Sequence, residues 1–169
     1  MTQPRHAVVE TPLGWVALLG TERGLRHLTL PKPTPHEALS QLLLEEGELG
    51  EECPSCFTPV IELLQAFYRG EPVDFSSVVL DMEGRPPFYR RVWEALREIP
   101  RGTTITYGEL AARVGRPRAA RAVGQAMAAN PYPPIVPCHR VIAHNGGLGG
   151  FGGGLDLKAR LLALEGLTR

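Results

Sequence analysis

The residues best suited to chemistry lie in the run Pro137-Cys138-His139-Arg140-Val141, which a glycine-rich stretch from Gly146 to Gly154 follows. A free thiol has a pKa of about 8.5, so a nucleophilic cysteine needs a base or a positive field to become a thiolate. His139 is the base that the sequence supplies. The alternative is a small buried cysteine beside a chance histidine, which is the usual situation of a free cysteine.

The backbone between Cys138 and His139 limits how a proton could pass from one to the other. Neighbouring side chains of an extended chain point to opposite faces, and Pro137 favours extended backbone just upstream. We therefore expect His139 to reach Cys138 through an intermediary, most simply a water molecule, unless the chain turns sharply here.

Length and composition indicate a globular protein. The 169 residues are 43% hydrophobic and 21% charged, enough for one large or two small domains with real cores. No apolar run approaches a membrane span, and the polar start Met1–His6 does not have signal-peptide form. The odd number of cysteines, three, argues against a disulfide framework and for a reducing compartment. We expect a cytoplasmic protein with no membrane association.

The overall charge of zero hides two oppositely charged halves. Residues 1–84 carry 5 basic and 13 acidic side chains, and residues 85–169 carry 13 basic and 5 acidic ones, giving −8 and +8. A basic half suggests contact with a polyanion such as nucleic acid. The alternatives are that the two halves attract each other or that the charges lie on solvated faces.

The first half predicts a small domain with strands and helices. Residues 6–30 alternate short apolar runs with turn signals, which is typical of a three-stranded meander. Helical patterns follow the proline-rich segment 31–35, and Arg85-Pro86-Pro87 is the predicted linker. The predicted elements after the meander are helices over about 36–46 and 58–69 and a final strand over Phe75–Leu80.

The second half predicts a helical domain that contains a helix-turn-helix. Pro87 starts a helix with an apolar stripe that ends before Pro100, and a short β-rich link spans Thr103–Tyr107. Thr106 and Glu109 have capping-box spacing and open a helix over Tyr107–Val114. Gly115 ends that helix, and a second one is predicted from Pro117 to about Ala129.

Small side chains dominate the second helix of the pair. Alanine and glycine occupy most of residues 119–129, so the helix axis could approach another surface closely. Tight helix packing is the commoner reason for such a face. In a basic helix-turn-helix, however, a small-residue helix with a long Arg121 could also lie against a DNA groove.

Several of these segments together resemble the O6-alkylguanine-DNA alkyltransferase family, also called methylated-DNA–protein-cysteine methyltransferases. The similarity runs in order from about residue 86 to 166, and the first domain is compatible with it through Thr11-Pro12-Leu13-Gly14 and Gly24-Leu25. The matching segments are Thr106–Ala112, Ala119–Gly124, Ala129-Asn130-Pro131, Val136–Val141 and Leu161–Gly166.

The resemblance implies a role for each catalytic residue. Cys138 would be the nucleophile and alkyl acceptor, His139 would take its proton through a water, and Glu165 would orient the imidazole. Asn130 would hold the turn before the active-site segment. Tyr107 would crowd the 3′ phosphate and hydrogen-bond the guanine as its oxygen leaves.

The resemblance also implies a DNA surface and a pocket. Arg121 would fill the stack behind a flipped nucleotide, and the backbone carbonyls of Cys138 and Val141 would read the guanine amino group. Family members often have tyrosine and then serine where this chain has Phe151 and Gly152, which leaves the pocket wall open. The DNA-binding set is Tyr107, Arg121, Ala122, Gly124 and Gln125, and the pocket set is Met127, Pro133, Val141, Phe151 and Gly152.

The implied fold is α+β, with a small N-terminal α/β domain built on a short antiparallel sheet (1–84) and a mostly helical, winged-helix-like C-terminal domain (85–169). The implied activity is single-turnover repair of O6-alkylguanine in double-stranded DNA by a monomer without a cofactor. A DNA-binding lesion sensor or regulator without chemistry is the alternative. A Cys-His-Glu hydrolase is a third reading, and it leaves Arg121 and the charge split unexplained.

The segment Cys53-Pro54-Ser55-Cys56 is a second group of residues with possible chemistry, either metal binding or disulfide formation. Two thiols at this spacing could bind zinc only with two further ligands, for which His6, His27 and His36 are the candidates. Free thiols in a loop and a local disulfide are the alternatives, and we predict no metal. The glutamates nearby, Glu45, Glu46, Glu48, Glu51 and Glu52, are predicted to form a solvated acidic loop.

Overall fold

The computed structural model describes residues 3–167 and separates into two compact units, Met1–Met82 and Glu83–Arg169. This division lies two residues before the boundary placed at 84/85 from the sequence. The first unit contains a small sheet with two helices, and the second is mostly helical. The predicted α+β class is confirmed.

The sheet of the N-terminal unit is a meander with one short addition. Strands β1 (Arg5–Thr11), β2 (Gly14–Thr21) and β3 (Gly24–Leu28) pair antiparallel in sequence order, as predicted. The two-residue strand β4 (Glu51–Glu52) joins the free edge of β1 in the parallel sense. The sheet is therefore mixed rather than purely antiparallel.

The strand predicted over Phe75–Leu80 is wrong. In place of a strand, this segment has an isolated bridge between Leu80 and Leu25, together with a bond from Leu25 N–H to the Val79 carbonyl (2.9 Å). The Asp74 side chain accepts from the Ser76 N–H (2.9 Å). Such side-chain turns compete with ladder bonds, so the β-rich composition does not produce a strand.

Two helices cover the apolar residues of the N-terminal unit. Helix α1 (Pro35–Glu46) is capped by Thr34 and ends at Gly47 in the left-handed region. It buries Ala38 and Leu42 against Ala17 and Leu19 of β2. Helix α2 (Thr58–Tyr68) buries its own apolar face. Both helices lie within about one residue of their predicted ranges.

Glu45 and Glu46 do not belong to a solvated loop, contrary to prediction. They end α1 and hold the buried ring of His27 between them. Glu46 Oε2 lies 2.6 Å from Nδ1 and Glu45 Oε2 lies 2.7 Å from Nε2. Helix α1 extends the chain so that these carboxylates face strand β3, which periodicity alone does not reveal.

Cys53 and Cys56 form a disulfide with a Cα–Cα distance of 5.4 Å. Of the alternatives left open for this pair, the structure has the local disulfide, because the 3-10 helix Pro54–Phe57 folds the two cysteines together. His27 is held by glutamates, and His6 contacts the Leu49 carbonyl (3.1 Å). Within residues 3–167 there is no group of three side chains that could hold a metal ion.

The C-terminal unit contains the predicted helix-turn-helix. Helix α3 (Pro87–Leu96) buries Trp93, whose Nε1–H donates to the Ala126 carbonyl (2.9 Å). Helix α4 (Tyr107–Arg113) starts with the complete Thr106–Glu109 capping box. Helix α5 (Ala120–Ala128) begins three residues later than predicted, because the Ala119 N–H bonds to the Arg116 carbonyl in a turn (2.8 Å).

A two-stranded parallel sheet joins the helix-turn-helix to the cysteine segment. Strand β5 (Ile105–Thr106) pairs with β6 (Val141–Ile142). This pairing places Tyr107, the first residue of α4, beside the chain that leaves Cys138. Helix α6 (Leu155–Leu164) is the last element of the unit. In the described part of the chain no helix is long and apolar enough to span a membrane.

Candidate active site and DNA surface

Cys138 lies in a tight turn inside a continuously buried segment. Residues 131–142 are all buried, and Cys138–Arg140 form a 3-10 helix closed by a bond from the Arg140 N–H to the Pro137 carbonyl (2.9 Å). The backbone is therefore not extended here, and the exception named in the sequence analysis, a sharp turn, is the one that holds. The chain turns sharply, so the rule that neighbouring side chains face apart does not separate His139 from Cys138. Cys138 is a free thiol.

Glu165 is the centre of a buried polar cluster. Its Oε2 lies 2.8 Å from His139 Nε2, and Arg140 donates to the carboxylate from Nε and Nη2 (2.9 and 2.8 Å). The Gly102 N–H donates to Oε1 (3.2 Å). Burial opposes ionisation, but the hydrogen bonds of His139 and Arg140 and the positive charge of Arg140 outweigh it and lower the pKa of Glu165 to about 2. Glu165 is a carboxylate at neutral pH.

Arg140 has a role that we did not assign from the sequence. Besides Glu165, its Nη1 donates to the Ile99 carbonyl (2.6 Å). A buried carboxylate is costly unless it is paired and fully hydrogen-bonded, and Arg140 provides that pairing. Its position directly after His139 was the available signal.

The His139 ring is neutral in the resting site. Burial lowers the pKa of His139, and the bond and charge of Glu165 offset only part of that effect. A carboxylate at Nε2 favours the tautomer that carries its hydrogen on Nε2, which leaves the basic lone pair on Nδ1. The ring can therefore accept a proton at neutral pH.

Cys138 is a thiol rather than a thiolate before it reacts. Burial raises the pKa of Cys138, while a hydrogen bond from Asn130 and the charge of Lys158 act in the opposite direction. Asn130 also fixes the preceding turn, since its Nδ2 donates to the Val136 carbonyl and its Oδ1 accepts from the Tyr132 N–H (both 2.9 Å). A buried thiol of this kind needs a base when it reacts.

Lys158 is the main functional candidate that we missed. Its side chain is fully buried, and its ammonium donates to the Val141 and Leu148 carbonyls and to the Gly150 carbonyl (3.1 Å). Burial lowers its pKa to about 8, and the nearby Cys138 acts in the opposite direction. Lys158 thus ties the glycine-rich loop to β6 and places a cation near the thiol.

A signal for Lys158 is present in α6. Lys158, Leu161, Leu162 and Glu165 follow one another at spacings of three, one and three residues. Residues at this spacing share one helix face, and all four are buried. A lysine on the apolar face that also carries Glu165 is the pattern that could have identified it.

Tyr107 and the glycine-rich loop face each other. The Tyr107 hydroxyl donates to the Gly150 carbonyl (3.4 Å), and burial raises its pKa, so it remains a proton donor. Gly149 has a φ of +72°, and a Cβ there would lie 3.0 Å from the Tyr107 ring. Only glycine allows the loop to approach the tyrosine this closely.

The other predicted pocket residues are distributed over three segments. Phe151 is half-buried with its ring 5.9 Å from the Lys158 ammonium, and Val141 is buried in β6. Gly152 is exposed, and a Cβ there would meet nothing within 4 Å. Met127 is half-buried in α5, and Pro133 is buried before the Cys138 turn. The predicted pocket is thus open where the glycine-rich loop passes Gly152.

The helix-turn-helix as a whole presents a basic surface. Val123 and Ala126 are buried, whereas Arg121 and Gln125 are exposed at a spacing of one turn, with Ala122 and Gly124 half-buried. Three further arginines around the turn are also exposed, namely Arg113, Arg116 and Arg118. By contrast, Arg140 and Lys158 are buried and add nothing to this surface.

Comparisons with known proteins show which family this chain belongs to. Residues 87–167 match the family model for the 6-O-methylguanine DNA methyltransferase DNA binding domain. Curated proteins named methylated-DNA–protein-cysteine methyltransferase are 43% identical in Mycolicibacterium paratuberculosis (95% of this chain, 91% of that protein) and 42% identical in Methanosarcina acetivorans (95% and 97%). A crystal structure of Mycobacterium tuberculosis OGT in complex with DNA is 38% identical, with a TM-score of 0.79 over 95% of this chain and 92% of the other.

Proposed function

Because the chain belongs to the methylated-DNA–protein-cysteine methyltransferase family, we propose that it repairs O6-alkylguanine in double-stranded DNA by moving the alkyl group to Cys138 Sγ. The observation that carries the proposal is the buried Cys138 thiol next to a neutral His139 whose Nε2 is held by Glu165 at 2.8 Å. This arrangement supplies a nucleophile, a base and a group that stabilises the protonated base.

The reaction removes a proton from Cys138 Sγ and places the alkyl group on it. As the family resemblance implies, His139 Nδ1 takes the Cys138 proton through a water, and Glu165 stabilises the imidazolium. The thiolate attacks the alkyl carbon in line, so an S–C bond forms as the C–O6 bond breaks and the electron pair stays on guanine. Tyr107 donates a hydrogen bond to the departing base, and Lys158 stabilises the thiolate before attack.

The base must leave the DNA stack to reach a buried thiol, at a cost of a few kcal/mol. We assign Arg121 to the space that the base vacates, because it is exposed at the start of α5. The Cys138 and Val141 carbonyls would read the guanine amino group. The Cys138 carbonyl already accepts from the Val141 N–H, and the Val141 carbonyl accepts from Lys158. Each oxygen has a second lone pair that can accept from the guanine amino group.

The product fixes the stoichiometry. A thioether buried at Cys138 has no group that water can readily hydrolyse, so one molecule repairs one lesion. We propose that the protein works as a monomer, in the cytoplasm, without a cofactor, with residues 85–169 binding DNA and residues 1–84 as support.

Intact-mass spectrometry after incubation with an O6-methylguanine duplex tests this function. We expect one methyl group per protein, located on Cys138, and unmodified guanine in the DNA. DNA binding with an unchanged protein mass would indicate a lesion sensor instead, and many guanines restored per protein would indicate a turnover enzyme. A duplex with unmodified guanine is the control.

A further inference from the structure

We propose that the Cys53–Cys56 disulfide is a thiol–disulfide exchange site for low-molecular-weight thiols, in which Arg5 stabilises the leaving thiolate. The pair lies in the N-terminal unit, and its chemistry does not depend on alkyl transfer at Cys138. The proposal rests on the exposure of the pair, the charge beside it and the cavity onto which it opens.

The disulfide is accessible to a reductant. Cys56 is exposed and Cys53 is half-buried. Exchange requires a thiolate to approach one sulfur, so access limits its rate. The only other cysteine, Cys138, is buried, which separates the two kinds of cysteine chemistry in this chain.

Positive charge lies directly beside both sulfurs. Arg5 Nη1 is 3.6 Å from Cys56 Sγ and 3.9 Å from Cys53 Sγ. The Ser55 hydroxyl is 3.7 Å from Cys53 Sγ. A neighbouring arginine favours the thiolate form of cysteine, and a thiol of lower pKa leaves faster in exchange. Cys53, with both donors, is therefore the better leaving group.

A cavity of about 620 Å³ identifies the sulfur that is attacked. Its wall includes Arg5 and Cys56 but not Cys53, and it is otherwise lined by polar and apolar side chains that include Thr21, Val60, Leu63 and Ser77. Cavities of this size hold small organic molecules. A thiol about the size of a tripeptide fits there, with its sulfur toward Cys56 and a carboxylate toward Arg5.

The exchange is balanced in two steps. A thiolate RS⁻ attacks Cys56 Sγ, so an R–S–S–Cys56 bond forms, the Cys53–Cys56 bond breaks and Cys53 leaves as a thiolate. A second RS⁻ attacks the sulfur of R in the mixed disulfide and releases RSSR and the Cys56 thiolate. The protein disulfide gains two electrons, and two molecules of the thiol are oxidised to one disulfide.

Backbone bonds hold the two cysteines ready to close again. The Cys53 N–H donates to the His6 carbonyl (2.8 Å), and the Cys56 N–H donates to the Cys53 carbonyl (3.1 Å). Neither bond involves a sulfur, so reduction removes neither the donor nor the acceptor of either bond. The reaction is therefore reversible on one fold.

The test measures reduction of the full-length protein by reduced glutathione, followed by rapid alkylation and mass spectrometry of the peptide that contains both cysteines. We expect Arg5→Gln to slow reduction about threefold to tenfold, for a leaving-thiol pKa raised by about one to two units. Arg5→Lys should restore most of the rate. Arg69→Gln, which removes an exposed arginine of the same unit that is paired with Glu71, should leave the rate unchanged.

A second variant tests the cavity. Val60→Trp narrows the cavity and should slow reduction by glutathione, whereas reduction by the smaller dithiothreitol should stay near the wild-type rate. If Val60→Trp melts at a lower temperature than wild type, Ser77→Trp serves the same purpose. Equal rates for Arg5→Gln and Arg69→Gln would overturn the role of Arg5. In the reverse experiment, the reduced protein is incubated with oxidised glutathione and then alkylated. If both cysteines are still free to be alkylated, the pair has not exchanged with glutathione, and the proposed exchange site is wrong.

Discussion

The Glu165 carboxylate lies 2.8 Å from Nε2 of His139, although 26 residues separate them in the chain. Their side chains are 0% and 1% exposed, so neither group is solvated by bulk water. The carboxylate directs the single hydrogen of the neutral ring to Nε2 and stabilises the cation that forms when Nδ1 accepts a proton. Arg140 balances the charge of Glu165 while the ring is neutral.

Cys138→Ser should abolish alkyl transfer and leave DNA binding nearly intact. A serine hydroxyl is far harder to ionise than a thiol at neutral pH, and His139 is too weak a base to remove its proton. Transfer is followed by intact mass and duplex binding by fluorescence anisotropy. Appreciable repair by the serine variant would contradict the assignment of Cys138 as nucleophile.

Glu165→Gln should lose stability in a pH-dependent manner. The pKa of Glu165 is lowered from 4.5 to about 2 in the folded protein, so its contribution is fully present above about pH 4.5 and is lost as pH falls toward 2. At 1.36 kcal/mol per pKa unit this contribution is roughly 3 kcal/mol. Urea unfolding at several pH values should show the gap between wild type and variant narrowing over this window.

The control for that experiment is Glu94→Gln, which changes an exposed carboxylate on α3. Its unfolding free energy should follow wild type at every pH. Parallel curves for wild type and Glu165→Gln, with a constant gap from pH 7 to pH 2, would contradict the lowered pKa of Glu165.

Lys158→Met should slow alkyl transfer and loosen the glycine-rich loop. Methionine keeps much of the buried stem but leaves the carbonyls of Val141, Leu148 and Gly150 without their donor. The variant also removes the positive charge that stabilises the Cys138 thiolate, so we expect the rate of alkyl transfer to fall about tenfold, for about 1.4 kcal/mol of lost transition-state stabilisation. Faster hydrogen exchange in residues 143–154 reports the loop directly. Arg160→Met, on the exposed side of α6, should change neither measurement.

Arg121→Ala should slow repair of duplex DNA more than it slows reaction with the free base O6-benzylguanine. Only the duplex reaction requires a stack to be opened and filled. Arg118→Ala is the matched control, since it removes a neighbouring exposed arginine and should weaken DNA binding without changing the rate on bound duplex. Equal slowing of Arg121→Ala on both substrates would exclude a role in base flipping.

DNA binding should weaken steeply with salt. Each neutralised phosphate contributes about −0.9 to the log–log slope, and engagement of roughly three to five phosphates is expected. Arg113, Arg116, Arg118 and Arg121 are exposed candidates for these contacts. Anisotropy titrations of a short duplex measure the slope. Glu48→Gln and Glu51→Gln, both exposed in the acidic unit, should not alter it, and salt-independent binding would contradict this surface.

Features that depend on near neighbours in the chain were predictable from the sequence. The Thr106–Glu109 capping box, the helix over about 36–46 and the three-stranded meander each depend on spacings of a few residues, and all are present in the structure. The segments around Cys138 likewise predicted the family. The strand predicted over residues 75–80 was wrong, because a local bond between the Ser76 N–H and the Asp74 side chain replaces the strand pairing that the composition favours.

Protonation states could not be predicted before the fold was known. The types and positions of Cys138 and His139 marked them as candidate reactive groups, and the family resemblance added Glu165. Their protonation states depend on desolvation and on partners such as Arg140 and Lys158, which α6 and the Cys138 turn bring together from distant parts of the chain. A pKa is set by what surrounds a group in space, and sequence spacing does not contain that information.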